Sequence, residues 1–391
     1  MIVRQFLQWL RTASAGDRAE ATSALASAYL YSNISSDDRA AAEGAMLMLL
    51  DDPSPLVRQA LSDVFASSQA APPAIVHALA ADQAEVARPI LERSPLLVDA
   101  DLVDLVATGS EKTQIAIASR VQLPCAVAAA IAEVGAATAC LVLIESEHVD
   151  IPQFSLDRIV ARHGHLAAIR ETLLERDDLP ATTRQALVVK LSATLADFVA
   201  ARAWLEGNHA HRIAKEACER ATVTLAAQVE QEDVRPLVRH LCESGQLTAG
   251  LMLRAVLCGD LRLFEEAFAE LSGLSVARVS AIVQDRGGGS FRALYEKARL
   301  PGSLYPAFRE VVGAIQTAGF VGDAGSAVRL KRRMVERVLT RCADAKSSDV
   351  EPLMVLLRRF ATEAARDEAR QLYDEAADDS AVIPEPRLVA A

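Results

Sequence analysis

The chain has 391 residues, of which 51% are hydrophobic and only 4% aromatic, and its 41 basic and 52 acidic residues leave a net charge of −11. Strong helix formers dominate, whereas β-branched and aromatic runs are scarce, so the composition disfavours the enzyme folds that are built around a sheet. The negative charge disfavours non-specific binding to nucleic-acid phosphates.

The cysteines and the N-terminal segment indicate the compartment. The six cysteines are scattered without a C-x-x-C pair, which favours reduced thiols in the cytoplasm. The first ten residues are amphipathic and interrupted by Arg4 and Gln5, unlike the apolar core of a signal peptide. No apolar run approaches the roughly 20 residues that span a bilayer. We therefore expect a cytoplasmic protein that does not bind a membrane.

Residues 50–80 predict an antiparallel helical hairpin. A helix is expected in Leu56–Ala66, because apolar residues recur there with the spacing of one helix face. Ser54-Pro55 before it supplies a capping oxygen and a proline suited to the first turn. Pro72-Pro73 then opens a partner helix. The apolar residues of the first helix are Val57, Ala60, Leu61, Val64 and Phe65.

Two spacings indicate that this hairpin is repeated. Asp52 with Arg58 is echoed by Asp82 with Arg88, and the aliphatic-proline steps at Pro124, Pro152 and Pro180 follow one another at 28-residue intervals. Internal periods of about 20–50 residues are typical of solenoids. The sequence therefore predicts an all-α fold, an α-solenoid of stacked antiparallel hairpins with a period of 28–30 residues. We expect Pro124, Pro152 and Pro180 to occupy equivalent places.

The Asp…Val-Arg pattern resembles the HEAT-repeat family. The resemblance covers roughly residues 50–200. The sequence as a whole predicts N-terminal helices in residues 1–49, a HEAT-like repeat region in 50–206, a further helical region in 207–372 and a flexible tail in 373–391. The last repeat is predicted to run into a long helix that stops at Gly207-Asn208. The residues that share one face of this helix are Leu187, Leu191, Leu195 and Phe198.

The C-terminal region also carries helical patterns. Phe264 and Phe268 belong to one apolar face, with Asp260 at the N-cap position and Gly259 ending the preceding helix. Two stretches, Gly259–Glu265 and Ile90–Leu102, resemble the bacterial family catalogued as domain of unknown function 2336, and so does Asp285–Gly289. The resemblance implies a helical bacterial protein and carries no activity and no functional residue.

Clustered histidines and carboxylates are weak metal or catalytic signals. His163 with His165 and His209 with His211 would have to assemble across a long stretch of chain to bind a metal. Each pair is explained separately by a helix end. The acidic run Glu145–Asp150 is expected to be a solvated loop. We therefore predict no metal, no cofactor, no catalytic residue and no enzyme activity.

A glycine-rich turn is the first candidate binding site. Arg286, Gly287, Gly288, Gly289 and Ser290 would expose several N–H groups at a helix N-terminus, which suits an anion. The turn lacks the Lys-Ser/Thr of a phosphate-binding loop. One helix end followed by the N-cap of the next helix explains the same residues.

A basic stripe is the second candidate. Arg329, Arg333, Arg337 and Arg341 recur every four residues and predict one face of a helix, beside an apolar stripe of Leu330, Met334 and Val338. The stripe is either a solvated face that pairs with acidic neighbours or a surface that contacts an acidic partner.

These observations favour a non-enzymatic interaction or regulatory module, which binds a protein or peptide partner along the surface of stacked hairpins. Two alternatives remain open. One is a HEAT-like protein that binds nucleic acid, which the net charge of −11 disfavours. The other is a nucleotide or anion sensor that uses the turn Gly287–Gly289.

Overall fold

The structure is a computed structural model that describes residue 9 and residues 12–285, 289–318, 332–340 and 351–381. Within these residues helix is the only regular secondary structure and no strand occurs, as the sequence predicts. The chain forms two compact units, Met1–Leu191 and Ser192–Ala391. The division falls inside a long helix, before the boundary at residue 206 that the sequence predicts.

The first unit is a stack of helical hairpins. Helices α1, α3, α5, α7, α9 and α11 pack in succession to form one layer, and α6, α8 and α10 pack in succession in a second layer. This two-layer stack confirms the predicted helical repeat. The helices are α1 (Ala15–Tyr31), α2 (Ser36–Leu49), α3 (Pro55–Phe65), α4 (Pro73–Ala80), α5 (Ala84–Arg93), α6 (Asp99–Thr108), α7 (Glu111–Ala118), α8 (Cys125–Val134), α9 (Ala137–Glu145), α10 (Gln153–His163), α11 (Ala167–Glu175) and the start of α12 (Ala181–Ala201).

The three evenly spaced prolines occupy equivalent places. Pro124, Pro152 and Pro180 each stand directly before a helix, and their carbonyls accept the first intrahelical hydrogen bonds at 3.0–3.2 Å. Proline suits this position because its nitrogen precedes the helix and its φ is fixed near the required value. The prediction drawn from their 28-residue spacing is confirmed.

Arginines connect successive hairpins by binding backbone carbonyls. Arg120 donates to the carbonyls of Leu91 and Ser94 at the end of α5, at 2.6 and 2.8 Å. Arg162 bridges in the same way to the end of α8 at 2.8 and 2.9 Å, and Arg176 to the end of α9 at 3.0 Å. The last carbonyls of a helix have no intrahelical partner and carry the negative end of the helix dipole. Each arginine bridge therefore satisfies a helix end one hairpin earlier.

The second unit is organised around α16. This helix packs against α14, α15, α17 and α18. Residues 332–340 are also helical. The helices are α13 (Gly207–Gln228), α14 (Gln231–Glu243), α15 (Ala249–Leu257), α16 (Leu261–Ser272), α17 (Val276–Gln284), α18 (Gly289–Lys297), α19 (Tyr305–Ala318) and α20 (Glu351–Ala381), with a short 3₁₀ turn at Gly302–Leu304.

An aromatic cluster forms the core of the second unit. Phe264 and Phe268 of α16 lie 4.9 Å apart between ring centroids, and Phe268 also meets Phe291, Tyr295 and Phe308 at 5.7–6.4 Å. These rings are all buried. The face of α16 that the sequence predicts to be apolar therefore carries the centre of this core.

Two helix ends differ from the prediction. Helix α12 ends at Ala201, and Gly207 is the first residue of α13 rather than the end of α12. The reason is a left-handed turn at Ala203, which has a φ of 54°. Helix α20 continues to Ala381, beyond the predicted start of a tail at residue 373, because Ala and Glu favour helix and the prolines come only at residues 384 and 386.

Candidate binding surfaces

The basic stripe is described in part. Arg333 and Arg337 are exposed on the helical segment 332–340, whereas Arg329 and Arg341 lie outside the described residues. Met334 and Val338 are buried beside them, as the sequence predicts. Leu330 also lies outside the described part. Neither exposed arginine forms an ion pair with a described residue.

The neighbouring Arg332 has a different environment. Its guanidinium pairs with Glu336 at 2.8 Å and with Glu368 of α20 at 2.7 Å. The hydrogen bonds to these two carboxylates raise the pKa of Arg332 above its ordinary value. Glu336 is thus engaged with Arg332, and the charges of Arg333 and Arg337 face solvent.

Only the end of the glycine-rich turn is described, and it shows one side-chain hydrogen bond. Arg286, Gly287 and Gly288 lie outside the described residues, Gly289 begins α18, and the Ser290 hydroxyl donates to Asp285 at 2.9 Å. The observed geometry is that of a helix start, and anion binding by the turn stays a prediction.

The histidine pairs have separate surroundings. His163 lies 3.4 Å from the Gly135 carbonyl, and burial lowers its pKa. Arg212 donates to His209 at 2.7 Å, and His211 lies 3.6 Å from Asp197. Across the described residues, no group of three or more His, Cys, Asp or Glu side chains is placed to hold a metal ion. The expectation of no bound metal remains to be measured.

A polar groove runs along the repeat stack. It has a volume of about 700 Å³ and is lined by α3, α5 and α7. Four of its six charged residues form ion pairs: Lys112 pairs with Glu85 at 2.7 Å, and Arg88 pairs with Glu92 at 2.8 Å. A groove of paired, solvated charges offers a partner little gain in free energy.

An exposed apolar surface lies at the turn between α12 and α13. Phe198 and Trp204 are 45% and 63% exposed, and their rings meet edge to face with centroids 5.8 Å apart. The guanidinium of Arg202 lies 4.7 Å from the Phe198 ring and 5.8 Å from the Trp204 ring. We call this surface the aromatic patch, defined by Phe198, Arg202 and Trp204 together with exposed Leu195, one helical turn before Phe198, and exposed Leu205, next to Trp204.

The C-terminal cap of α12, in which Ala203 adopts a left-handed backbone conformation, forms the aromatic patch. The Trp204 N–H donates to the Val199 carbonyl at 3.2 Å, and the Ala203 N–H donates to Ala200 at 3.0 Å. This cap brings the residue three positions after Ala201 against the last turn of the helix, which is how Trp204 meets Phe198. The left-handed position is normally glycine, because a Cβ there costs about 1–2 kcal/mol. Ala203 therefore holds a strained backbone at the centre of the patch.

Sequence reasoning placed Leu195 and Phe198 on an apolar face but not in an exposed patch. Leu187, near the start of the same face, is 2% exposed, whereas Leu195 is 53% exposed. The signal in the sequence that could have indicated an exposed patch was the Trp204-Leu205 pair. Large apolar residues are unusual in a segment that connects two helices, and the chain has only two tryptophans.

Fold and surfaces together define a helical-repeat protein with exposed apolar and basic patches. The family model described as an uncharacterised protein conserved in bacteria (DUF2336) matches residues 86–348, and the chain belongs to this family. No curated protein and no solved structure is significantly similar to this chain. None of the described helices is long and apolar enough to cross a membrane.

Proposed function

We propose that the protein is a non-enzymatic interaction module that binds a protein partner through the aromatic patch. The observation that carries this proposal is the exposed pair of Phe198 and Trp204, held together by the strained turn at Ala203. Strained non-glycine residues in the left-handed region cluster at functional sites. Trp, Phe and Arg are also enriched at protein interfaces, where Trp and Arg are frequent hot spots.

The chemistry of the patch supports a partner rather than a reaction. Its side chains are aliphatic, aromatic or a guanidinium, and none of them acts as an acid, base or nucleophile at neutral pH. They offer apolar area and a fixed positive charge. Arg202 makes no ion pair with any residue that the structure describes, so its N–H groups are available to a carboxylate.

The partner we infer is a protein segment with apolar side chains beside a carboxylate. Exposed Arg212 and Lys215 on α13 add positive charge close to the patch in sequence. An acidic, apolar segment matches both features.

The test compares two double variants as baits in a bacterial lysate. One carries Phe198→Ala with Trp204→Ala, and the control carries Tyr31→Ala with Phe154→Ala, which removes two exposed rings outside the patch. Truncation of a hot-spot residue costs about 2 kcal/mol or more, so the patch variant should bind its partner more than tenfold more weakly. The control should bind like the wild type.

Equal binding by all three baits would contradict the proposal, and so would equal loss in both variants. Light scattering of each purified protein tests whether the partner is a second copy of the same chain. A wild-type dimer that becomes a monomer only in the patch variant would identify the partner as a second copy. A monomer in every case leaves a different protein as the occupant.

A further inference from the structure

Residues 382–391, which we call the C-terminal segment, have the chemistry that the aromatic patch would recognise. They lie outside the described residues, so only their sequence is used. Glu385 stands between two prolines, with Val382 and Ile383 before them and Leu388 after them. A carboxylate among apolar side chains is the kind of partner that the proposed function requires.

The aromatic patch has one charged member, the guanidinium of Arg202. It lies over both rings of the patch and makes no ion pair with a residue that the structure describes. A carboxylate that meets this guanidinium forms a charge-assisted hydrogen bond, which is stronger than a neutral one. The C-terminal segment supplies Glu385 for this bond. Asp378 and Asp379 just before the segment outweigh its single base, Arg387, so the whole stretch is acidic.

The two prolines of the segment favour an extended backbone. Proline fixes φ at about −65°, close to the value of polyproline II, which has three residues per turn. Val382, Glu385 and Leu388 are three residues apart and would share one side of such a helix. Surfaces lined with aromatic rings are the usual docking sites of extended, proline-containing segments. An apolar, acidic and apolar edge thus matches two rings with a guanidinium over them.

Helices α13 and α20 run in the same direction within the second unit. Arg359 of α20 pairs with Glu216 of α13. Further along both helices, Asp367 of α20 lines one cavity together with Arg220 and Thr224 of α13. Helix α13 starts beside the aromatic patch, whereas the C-terminal segment follows the end of α20. The patch and the start of the segment therefore lie at opposite ends of this helix pair.

The segment is too short to reach the patch of its own chain. At a rise of about 1.5 Å per residue, Ala381 lies roughly 33 Å beyond Arg359, and Gly207 lies roughly 14 Å before Glu216. The two ends are thus about 45 Å apart, and more than about 30 Å apart even if the helix axes cross at a wide angle. From Ala381 to Glu385 the fully extended chain spans at most about 14 Å. A segment that binds the patch therefore comes from another chain.

We propose that the C-terminal segment of one copy binds the aromatic patch of a second copy. This inference rests on the proposed function and names its partner. Glu385 pairs with Arg202, and Val382 and Leu388 cover the rings on either side. The two surfaces differ, so two copies either exchange segments or leave one patch open to a third copy. In both cases the chain associates with itself as its concentration rises.

Sedimentation velocity of the full-length protein over a concentration series tests this contact. The wild type should associate. Phe198→Ala with Trp204→Ala removes the rings, and Val382→Asp with Leu388→Asp places charges where the segment meets them. Each double variant should weaken association at least tenfold, because both substitutions fall at the centre of the contact. The control of the lysate comparison, which lacks two rings outside the patch, should associate like the wild type.

A mixture of the two double variants shows whether the two surfaces bind each other. The patch variant keeps an intact C-terminal segment, and the segment variant keeps an intact patch. Neither should associate alone at a concentration at which the wild type does. Mixed in equal amounts, they should form a complex of one copy of each, because together they contain one complete contact.

Reversal of one charge pair tests the predicted orientation. Arg202→Glu and Glu385→Arg each place like charges together and should each weaken association at least tenfold. A chain with both substitutions restores an opposite pair, so its association should return to within about threefold of the wild type. Two losses that simply add in the combined variant would overturn the proposal.

Three further results would also overturn it. They are a wild type that stays monomeric at every concentration, association that survives in either double variant, and a mixture of the two variants that stays monomeric. The proposed function has its own measurement, since the lysate comparison tests the patch against other proteins. A patch variant that loses a lysate protein while the wild type is a monomer would support the proposed function and contradict this inference. Circular dichroism of each variant confirms that lost association does not reflect lost helix.

Discussion

Arg58 on α3 donates two hydrogen bonds to the carboxylate of Asp82, at 2.6 and 3.0 Å, and thereby joins one hairpin to the next. Arg18 forms the same two-pronged pair with Asp52, at 2.8 Å for both bonds. The Asp and Arg of the repeated pattern therefore pair between repeats rather than within one. Arg88, the later member of the pattern, instead pairs with Glu92 on its own helix.

Replacing Asp82 by Asn should lower the free energy of unfolding by about 1–3 kcal/mol, because a charge-assisted pair is lost and the Arg58 guanidinium remains half-buried. Urea unfolding measures the change. Glu85→Gln is the matched control, since its pair with Lys112 is exposed and screened by solvent and should contribute much less to stability. Equal effects of the two substitutions would show that the Arg58–Asp82 pair has no special role.

The stability that Asp52 contributes should depend on pH. Burial raises the pKa of Asp52, but hydrogen bonds from Arg18 and the Ser54 N–H outweigh it and leave the pKa below its ordinary value. A carboxyl with a lowered folded-state pKa stabilises the fold above its unfolded pKa of about 3.9, and this contribution disappears as the pH falls through the folded-state value. Wild type and Asp52→Asn should therefore differ most near neutral pH and converge in acid. A difference independent of pH would contradict this.

Ala203→Gly should stabilise the protein by roughly 1 kcal/mol, because glycine adopts the left-handed conformation without the Cβ penalty. Gly245→Ala is the reciprocal control: its φ is +69° and nothing lies within 4 Å of an added Cβ, so backbone strain alone should destabilise it. Thermal unfolding compares the two. Destabilisation by Ala203→Gly would show that the alanine methyl packs in a way that offsets the strain.

Arg333→Glu with Arg337→Glu should change the free energy of unfolding by no more than about 0.5 kcal/mol, because both side chains are exposed and unpaired among the described residues. Arg332→Glu, the control, removes two ion pairs and places a third carboxylate beside Glu336 and Glu368, so it should lower the free energy of unfolding more than the double variant does. If the double variant keeps its stability but loses binding to an acidic partner, the basic stripe is a contact surface. A large loss of stability would show that these arginines hold the fold together.

The repeat could be predicted because its signals are local. Proline before a helix and an apolar stripe within it are properties of short segments, so Pro124, Pro152 and Pro180 identified equivalent places correctly. The arginine bridges were not predictable in the same way. Arg120 binds backbone carbonyls, which every residue possesses, so no side chain at the receiving end marks the contact.

The candidate sites depended on features that no short segment shows. The sequence assigned the end of α12 to Gly207, since glycine is the usual left-handed cap, whereas Ala203 adopts that conformation. The sequence identified Asp260 as an N-cap. That its second carboxylate oxygen is buried without a hydrogen-bond partner follows only from the packing around it.

The arginine bridges also form in a fixed order during synthesis of the chain. Arg120, Arg162 and Arg176 all reach back to a helix end made earlier in the chain. The polypeptide leaves the ribosome from its N-terminus. Each of these helix ends is therefore bound by its arginine only after the later hairpin has emerged. The carbonyls that these three arginines bind therefore lack these partners until the later hairpin has been made.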